Sequence, residues 1–442
     1  MSSKHPGRLE EPFIILAVLS LLGGSIWLVV RAPLLLEFYY SNELLALTHT
    51  FTLGFVTSLI MGVTYRLAPM ALFVLPRSRR WARIHFWVHA LGVLGMIFHF
   101  WLPAWHGLAW SALLVLCSAL LQLYVWWDIR FPARGDSWVA RYVLTAMVYL
   151  VVAALVGTWM GMRKGMPDLL PSIGGTFTGF LFAHAHLAGL GWVTTMILGW
   201  HLRLWPRTQG NRRLWPVRYA VLQIGTLGLI AGWLCNLPGK PFFAALVLAV
   251  IIWHGWGAFV GFVRGRAREG ELAALVMLIL AASTGLALAL GLPADADPLR
   301  GRIQMAYGLV GLVGWFVLTI VIFAFKLFPM WVWQECFGAD YGKKPVPGRR
   351  DLYHHGLKRV SQWAYVLGLC MSAVGVVAGH LPVLRLGLGL VLVGTLTFLI
   401  NFVRMARWAL LKMEFRPTPR DWDEFRRLFP KAATGSDTAA EC

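Results

Sequence analysis

Three segments of the chain share one pattern of residue types. The first covers 49–69, the second 186–206, and a weaker third 309–329. In the first two, a histidine is followed at identical offsets by two glycines, an arginine and a proline, whereas the third has leucine in place of histidine. The shared positions are His49, Gly54, Gly62, Arg66 and Pro69 in the first copy and His186, Gly191, Gly199, Arg203 and Pro206 in the second. A chain built this way folds as repeats of one unit.

The repeats lie inside apolar runs long enough to cross a bilayer, which takes about 20 residues each. With 14% charged residues and a mean hydropathy of +0.65, the composition is that of a membrane protein. Twelve spans are predicted, near 12–31, 44–72, 83–103, 106–127, 139–160, 174–205, 217–236, 242–263, 272–291, 301–333, 360–380 and 383–404. The repeats fall on spans two, six and ten. We therefore predict an all-α polytopic membrane protein with twelve transmembrane helices in three pseudo-threefold arcs of four.

The basic residues behind the net charge of +20 lie mainly in loops on one side of the membrane. Basic residues crowd the loops after even-numbered spans, and this asymmetry places both termini in the cytoplasm. The residues concerned include Arg77, Arg79, Arg80, Arg83, Arg130, Arg134, Arg141, Arg207, Arg212, Arg213, Arg218, Arg264, Arg266 and Arg268. We predict a cytoplasmic N-terminus over 1–11, a membrane domain over 12–404 and a basic cytoplasmic tail over 405–442, in the inner (cytoplasmic) membrane of the cell. The lipid bilayer is then the partner of the chain, and nucleic acid is not.

The histidines of the repeats are expected near the outer face. His49 is separated from Pro69, at the cytoplasmic end of its span, by twenty residues, or about 30 Å of helix. His186 has the same depth by equivalence. His184 precedes it by two residues, which turns the helix by about 200°, so the two side chains point to nearly opposite sides of span six.

Histidines inside a membrane are costly unless they are paired or bound. Neutral imidazole is the commonest ligand for haem iron and for copper. We therefore predict His49, His184 and His186 as cofactor-binding residues, with His49, His99 and His254 as candidate metal ligands. Packed, hydrogen-bonded roles are expected for the remaining membrane histidines, His85, His89, His201 and His380.

With these features the chain resembles subunit I of the haem–copper oxidase superfamily, which has twelve spans in three arcs and histidines on spans two, six, seven and ten. The His-x4-Gly-x7-Gly-x6-Pro pattern at His49 is also similar to the NnrS-type haem–copper membrane proteins linked to the nitric oxide response. The resemblance implies haem, with copper as a further candidate, and an electron-donor cytochrome or a partner subunit. It implies electron transfer or the handling of a diatomic gas.

The chain departs from the oxidase pattern at several ligand positions. Span seven has no histidine, and Tyr307 and Leu309 stand on span ten where the family has its His-x-His. Of the family ligand positions, only that of the low-spin haem is matched directly, by His49. In one arrangement the pattern is rotated by one arc, so that span six supplies the haem ligands and His49 with His99 supplies the copper ligands. In the other, one haem lies between His49 and a histidine of span six.

The acidic residues favour a protein without proton pumping, because they lie at span ends or in loops: Glu37, Glu43, Asp128, Asp168 and Glu271. Three classes of function remain. The first is a haem-binding membrane protein for electrons or nitric oxide, with enzymatic turnover left open. The second is a cofactor-free oxidase-like scaffold or assembly subunit, and the third is a small-molecule transporter. A Soret band would separate the first from the others.

Overall fold

The computed structural model describes residues 8–132, 137–169, 176–204, 211–265, 269–411, 413 and 415–429. Over this part of the chain the secondary structure is helical, without strands. Twelve helices are long and apolar enough to cross a membrane, so the chain is an all-α polytopic membrane protein as predicted. They are α1 Glu11–Val30, α2 Asn42–Ala71, α3 Arg79–Trp101, α4 Trp105–Val125, α5 Ser137–Gly165, α6 Phe177–Leu204, α7 Arg212–Leu234, α8 Lys240–Val263, α9 Gly270–Ala289, α10 Leu299–Phe337, α11 His355–Ala378 and α12 Leu381–Leu410.

Because the number of spans is even, α1 begins and α12 ends on the same side of the membrane. We call this side the terminal face and the opposite side the far face. The tail contains one further short helix, α13, Pro419–Leu428, which begins with a capping box between Thr418 and Asp421. The tail beyond Phe429 lies outside the described residues, as do Pro206 and the basic loop residues Arg134, Arg207, Arg266 and Arg268.

The three repeat helices α2, α6 and α10 each contain a π-helical segment at the same repeat position. The segments are Thr50–Thr57, Leu187–Thr194 and Val310–Val317, and each begins directly after the first repeat residue, His49, His186 or Leu309. Such wide turns are rare and often occur at functional sites. The three copies therefore share a backbone irregularity as well as a residue pattern.

The other helices surround these three in a closed ring. The π-helical segments of α2, α6 and α10 pack on α1, α5 and α9, respectively. The helices that follow pair as α3 with α4, α7 with α8 and α11 with α12, and the contact of α12 with α1 closes the ring. This is the predicted arrangement of three arcs of four helices.

A second repeat, which sequence analysis missed, lies where the outer helices cross. A Cβ atom added at Gly92, Gly225 or Gly368 would lie within 3 Å of Val115, Val247 or Val391, respectively. Glycine is required at each crossing because the neighbouring helix leaves no room for a side chain. The three arcs are thus related in their outer pairs as well as at the centre.

The centre of the bundle contains two indole–hydroxyl hydrogen bonds in equivalent places. Trp192 Nε1 donates to Thr57 Oγ1 at 3.1 Å, and Trp315 Nε1 donates to Thr194 Oγ1 at 3.1 Å. We call these four residues the Trp–Thr ring. At the third equivalent place, Phe55 stands for the tryptophan and Val317 for the threonine, so this pair is apolar. On the terminal side of this ring, residues of the three central helices line an apolar cavity of about 60 Å³.

Candidate functional site

His49 and His186 make the same backbone hydrogen bond in the two repeats. His49 Nδ1 donates to the carbonyl oxygen of Leu45 at 2.7 Å, and His186 Nδ1 donates to that of Phe182 at 2.7 Å. Each acceptor lies one helical turn towards the far face. Because a carbonyl oxygen can only accept, the proton of each neutral ring is on Nδ1, and the Nε2 lone pair is left available.

An aromatic ring of the following helix flanks each of these imidazoles. His49 stacks on Phe100 of α3 with ring centroids 4.9 Å apart, and His186 stacks on Trp233 of α7 at 6.2 Å. The two sites are therefore pseudosymmetric in ring orientation as well as in hydrogen bonding. Leu309, which has no lone pair to offer, occupies the third equivalent position.

His184 faces the opposite side of α6 from His186. Its Nδ1 donates to the carbonyl oxygen of Ala153 on α5 at 2.9 Å, and its ring lies over Gly157 of the same helix. The predicted divergence of His184 and His186 is confirmed, since one approaches α5 and the other α7.

The donor chemistry of these three side chains fits haem iron or another metal. Within the described part of the chain, none of their Nε2 atoms makes a hydrogen bond. Histidines that bind metals usually donate their other ring N–H to a carbonyl or carboxylate, which fixes the tautomer and orients the ring. All three histidines meet this condition through backbone carbonyls, whose positions do not depend on a side-chain rotamer.

His99 and His254 lie in other surroundings. His99 Nδ1 is 3.0 Å from Ser111 Oγ, and the ring contacts Gly107, so this side chain sits between α3 and α4. His254 Nε2 is 2.9 Å from His201 Nδ1 in the terminal half of the bundle. Among the described residues no three histidine, cysteine or acidic side chains form a metal-binding group. The structure thus does not bring His49, His99 and His254 together, and their metal role stays a prediction.

The histidines expected to be packing residues are all hydrogen-bonded, and all but His380 are buried. His85 Nδ1 is 3.0 Å from Tyr65 OH, and the rings of His89 and His201 are likewise bonded to neighbouring side chains. For these three the prediction is confirmed. It is wrong for His380, which is exposed and accepts a hydrogen bond from the Val383 amide at the start of α12.

Cations surrounded by aromatic rings lie at the far-face ends of the helices, and sequence analysis did not single them out. Lys164 Nζ lies 4.1 Å from the ring centroid of Trp105 and 5.1 Å from that of Tyr40. Burial raises the pKa of Tyr40 to about 12, so its hydroxyl stays neutral. Lys240 Nζ lies 4.7 Å from the ring of Trp233, the residue that stacks on His186. Positive charge is therefore available beside the indole that stacks on His186.

Neither a protein-family profile nor a curated protein matches this chain. The chemistry of the site accordingly follows from its own residues: two pseudo-equivalent imidazoles and a third on the opposite side of α6, each anchored to a backbone carbonyl in the far half of the membrane domain.

Proposed function

We propose that this chain is a haem-binding integral membrane protein, with copper as a second candidate metal, that handles electrons or a diatomic gas such as nitric oxide. The observation that supports this most is the common state of His49, His184 and His186. Each holds its Nδ1 proton on a carbonyl oxygen and leaves Nε2 without a hydrogen bond among the described residues. Metal-binding histidines are oriented in this way, with the other ring N–H held by a hydrogen-bond acceptor and the second nitrogen free for the metal.

In this proposal His49 and His184 hold one haem between α2 and α6. Their side chains come from different helices, and each ring is oriented by a backbone carbonyl oxygen. This is the version in which one haem lies between His49 and a span-six histidine, and we propose His184 as that histidine. When bound, haem supplies an iron centre that takes up one electron or a gas molecule. The chain supplies the ligands and their orientation.

His186 is a separate ligand on the other side of α6. Trp233 covers one side of its ring, and Lys240 lies against that same indole. An ammonium group near the far face complements the two carboxylates that haem carries. The residues at this second position therefore suit the same cofactor class, with one imidazole ligand in place of two.

We further propose that the protein resides in the inner membrane with both termini in the cytoplasm, and that a cytochrome or partner subunit donates electrons to it. The excess of basic residues in the loops of the terminal face supports this orientation. The imidazoles then lie near the outer surface, where a donor outside the cell membrane can approach them. Proton pumping is not part of the proposal.

The test is haem per chain in purified protein, measured by pyridine haemochrome together with metal analysis. Wild type is expected to show a Soret band. His49→Ala and His184→Ala should lose the same haem, whereas His186→Ala should affect a different one. His380→Ala is the matched control, because this exposed histidine caps a helix, and it should keep full haem content. A wild-type protein without a Soret band, or unchanged haem in all three variants, would refute the proposal and favour the cofactor-free scaffold.

A further inference from the structure

The apolar cavity on the terminal side of the Trp–Thr ring is lined by residues that are equivalent in the three repeats. One layer of its wall consists of isoleucines and another of leucines. The isoleucines are Ile60, Ile197 and Ile320, and the leucines are Leu67, Leu204 and Leu327. Within each layer, the three residues have the same offset from the first residue of their repeat. The cavity therefore lies on the pseudo-threefold axis of the bundle, and we call it the axial cavity.

Between these two layers the three repeats differ in side-chain size. At the equivalent positions α6 supplies Trp200 and α10 supplies Phe323, whereas α2 supplies only Val63. The ring of Phe323 packs against that of His201, with the ring centroids 4.9 Å apart. A valine in place of a third aromatic ring leaves space on the α2 side of the axis. The cavity is thus located where the repeat lacks one large side chain.

The axial cavity is larger than an ordinary packing defect. Its volume is about 60 Å³, several times the roughly 10–15 Å³ that a single water molecule requires. Voids of this size are few in folded proteins, because cores are packed as densely as organic crystals. The side chains around an empty void lose dispersion contacts. An occupant that fits the cavity would restore them.

The chemistry of the wall excludes water as this occupant. The described lining side chains are aliphatic or aromatic, and the indole of Trp200 carries their one N–H group. This N–H has no hydrogen-bond partner among the described residues. The backbone of the three lining segments is α-helical, so most of its carbonyl oxygens already accept intrahelical bonds. Because a buried water molecule needs two to four polar partners, one side-chain donor is too few.

The size of the cavity selects among apolar occupants. A dry apolar cavity of about 150 Å³ takes up benzene or xenon. The axial cavity has less than half of that volume, so it suits a single atom or a diatomic molecule better than a ring or an acyl chain. Dioxygen and nitric oxide are uncharged and weakly hydrated, and such molecules leave water readily for an apolar environment.

We propose that the axial cavity binds one small uncharged gas molecule, a diatomic such as dioxygen or nitric oxide. The molecule is held by dispersion contacts with the isoleucine layer and with the rings of Trp200 and Phe323, without a covalent or redox step. Eleven residues separate Ile60 from His49, so the cavity lies about 15 Å nearer the terminal face than the imidazoles. It is a gas site in addition to the proposed haem and requires no cofactor.

The Trp–Thr ring separates the axial cavity from the imidazole half of the bundle. Its four residues lie between the imidazole level and the isoleucine layer along the repeat, and each is at most 2% exposed. The two indole–hydroxyl hydrogen bonds hold the central helices together at this level. Gas in the axial cavity is therefore held apart from the imidazoles, so the two sites can be tested independently.

Xenon is the probe for the cavity, because it is a single apolar atom that binds dry cavities. In protein with ¹³C-labelled isoleucine δ1-methyl groups, xenon should shift the NMR signals of the isoleucine layer, and the shifts should saturate with xenon pressure. Ile251, at 0% exposure and outside the cavity wall, is the buried control, and Ile15, at 59%, is the lipid-facing control. If the isoleucine layer responds like either control, with no shift or with a shift that does not saturate, the cavity does not bind gas.

Substitutions at Val63 should change xenon binding in opposite directions. Val63→Phe supplies the aromatic ring that the other two repeats have, so it should fill the cavity and abolish the saturable shifts. Val63→Ile fills it partly and should weaken binding if the phenylalanine variant does not fold. Val63→Ala enlarges the cavity and should strengthen binding several-fold. Val276→Phe, at a position 49% exposed on α9, is the matched control and should change nothing. Shifts that survive filling, or weaken on enlargement, would overturn the proposal.

Dioxygen tests the gas itself, because it is paramagnetic and broadens the signals of methyl groups that it contacts. Under oxygen pressure Ile60 should broaden several-fold more than Ile251, and added xenon should relieve the broadening at Ile60 but not at Ile15. Broadening at Ile60 that xenon leaves unchanged would contradict a shared site. Neither measurement depends on haem. Haem-containing protein whose isoleucine layer ignores xenon would refute only the cavity proposal, and haem-free protein with saturable shifts would refute only the haem proposal.

Discussion

Replacing Thr57 by valine is expected to destabilise the protein by about 2 kcal/mol. Valine has nearly the shape of threonine, so the change creates almost no cavity. It removes the acceptor of the Trp192 indole N–H, which is 3.1 Å away and belongs to a side chain only 1% exposed. A buried donor left without a partner costs about 1–3 kcal/mol. Water does not reach this position from outside, because the central helices enclose it.

The free energy of unfolding can be measured by titration from mild detergent into SDS, followed by far-ultraviolet circular dichroism. Thr57→Val/Trp192→Phe removes donor and acceptor together, so the second change should cost less in the Thr57→Val background than in wild type. Thr57→Ser keeps a hydroxyl and should retain most of the stability. If the free energy of unfolding of Thr57→Val lies within about 0.5 kcal/mol of the wild-type value, the low end of the net contribution of a hydrogen bond, the indole bond does not stabilise the bundle.

Three further outcomes follow from the contacts of single residues. Gly157→Val should lower haem content without unfolding the protein, because the valine Cβ would lie 2.8 Å from Cε1 of His184. Absorbance at the Soret band measures the haem content. Gly368→Val should destabilise strongly, since its Cβ would lie 2.6 Å from the Gly387 carbonyl oxygen, whereas Gly389→Val, with nothing within 4 Å, should be tolerated in the same unfolding assay. Arg77 lowers the pKa of Asp128 from its ordinary value of 3.8, so their pair contributes stability above that pH and loses it as the pH falls further. An acid titration of wild type against Asp128→Asn should therefore show a difference near neutral pH that disappears at low pH, and a difference that grows on acidification would contradict this.

The membrane architecture could be predicted because hydropathy and repeat offsets are one-dimensional signals. Twelve apolar runs and a period of four spans suffice for three arcs, and the structure agrees. The outer crossings at Gly92, Gly225 and Gly368 were missed because their partners, such as Val115, are defined only once two helices are packed. The π-helical segments were missed for another reason: their residues show no feature that separates them from an ordinary apolar helix.

The candidate site was predictable in depth and direction but not in its contacts. Repeat equivalence placed His49 and His186 at one level, and helix geometry turned His184 away from His186. Which residue anchors each ring depends on backbone carbonyls, and the Ala153 carbonyl comes from another helix. The pairing of His254 with His201 requires knowing that α8 lies against α6 at that depth. No spacing in the sequence contains this information.

In each central helix, the π-helical segment sets the rotation of the part of the helix before it relative to the part after it. An i→i+5 turn takes up about one residue more than an α-helical turn, and one residue corresponds to about 100° of rotation. Deleting a single residue from 50–57 would let α2 run as a regular helix and swing His49 by roughly that angle away from Phe100, while the residues nearer Pro69 kept their packing. The direction in which each imidazole points thus depends on the extra residue in the π-helical segment that follows it. Deleting or inserting one residue in that segment would be more damaging than most substitutions.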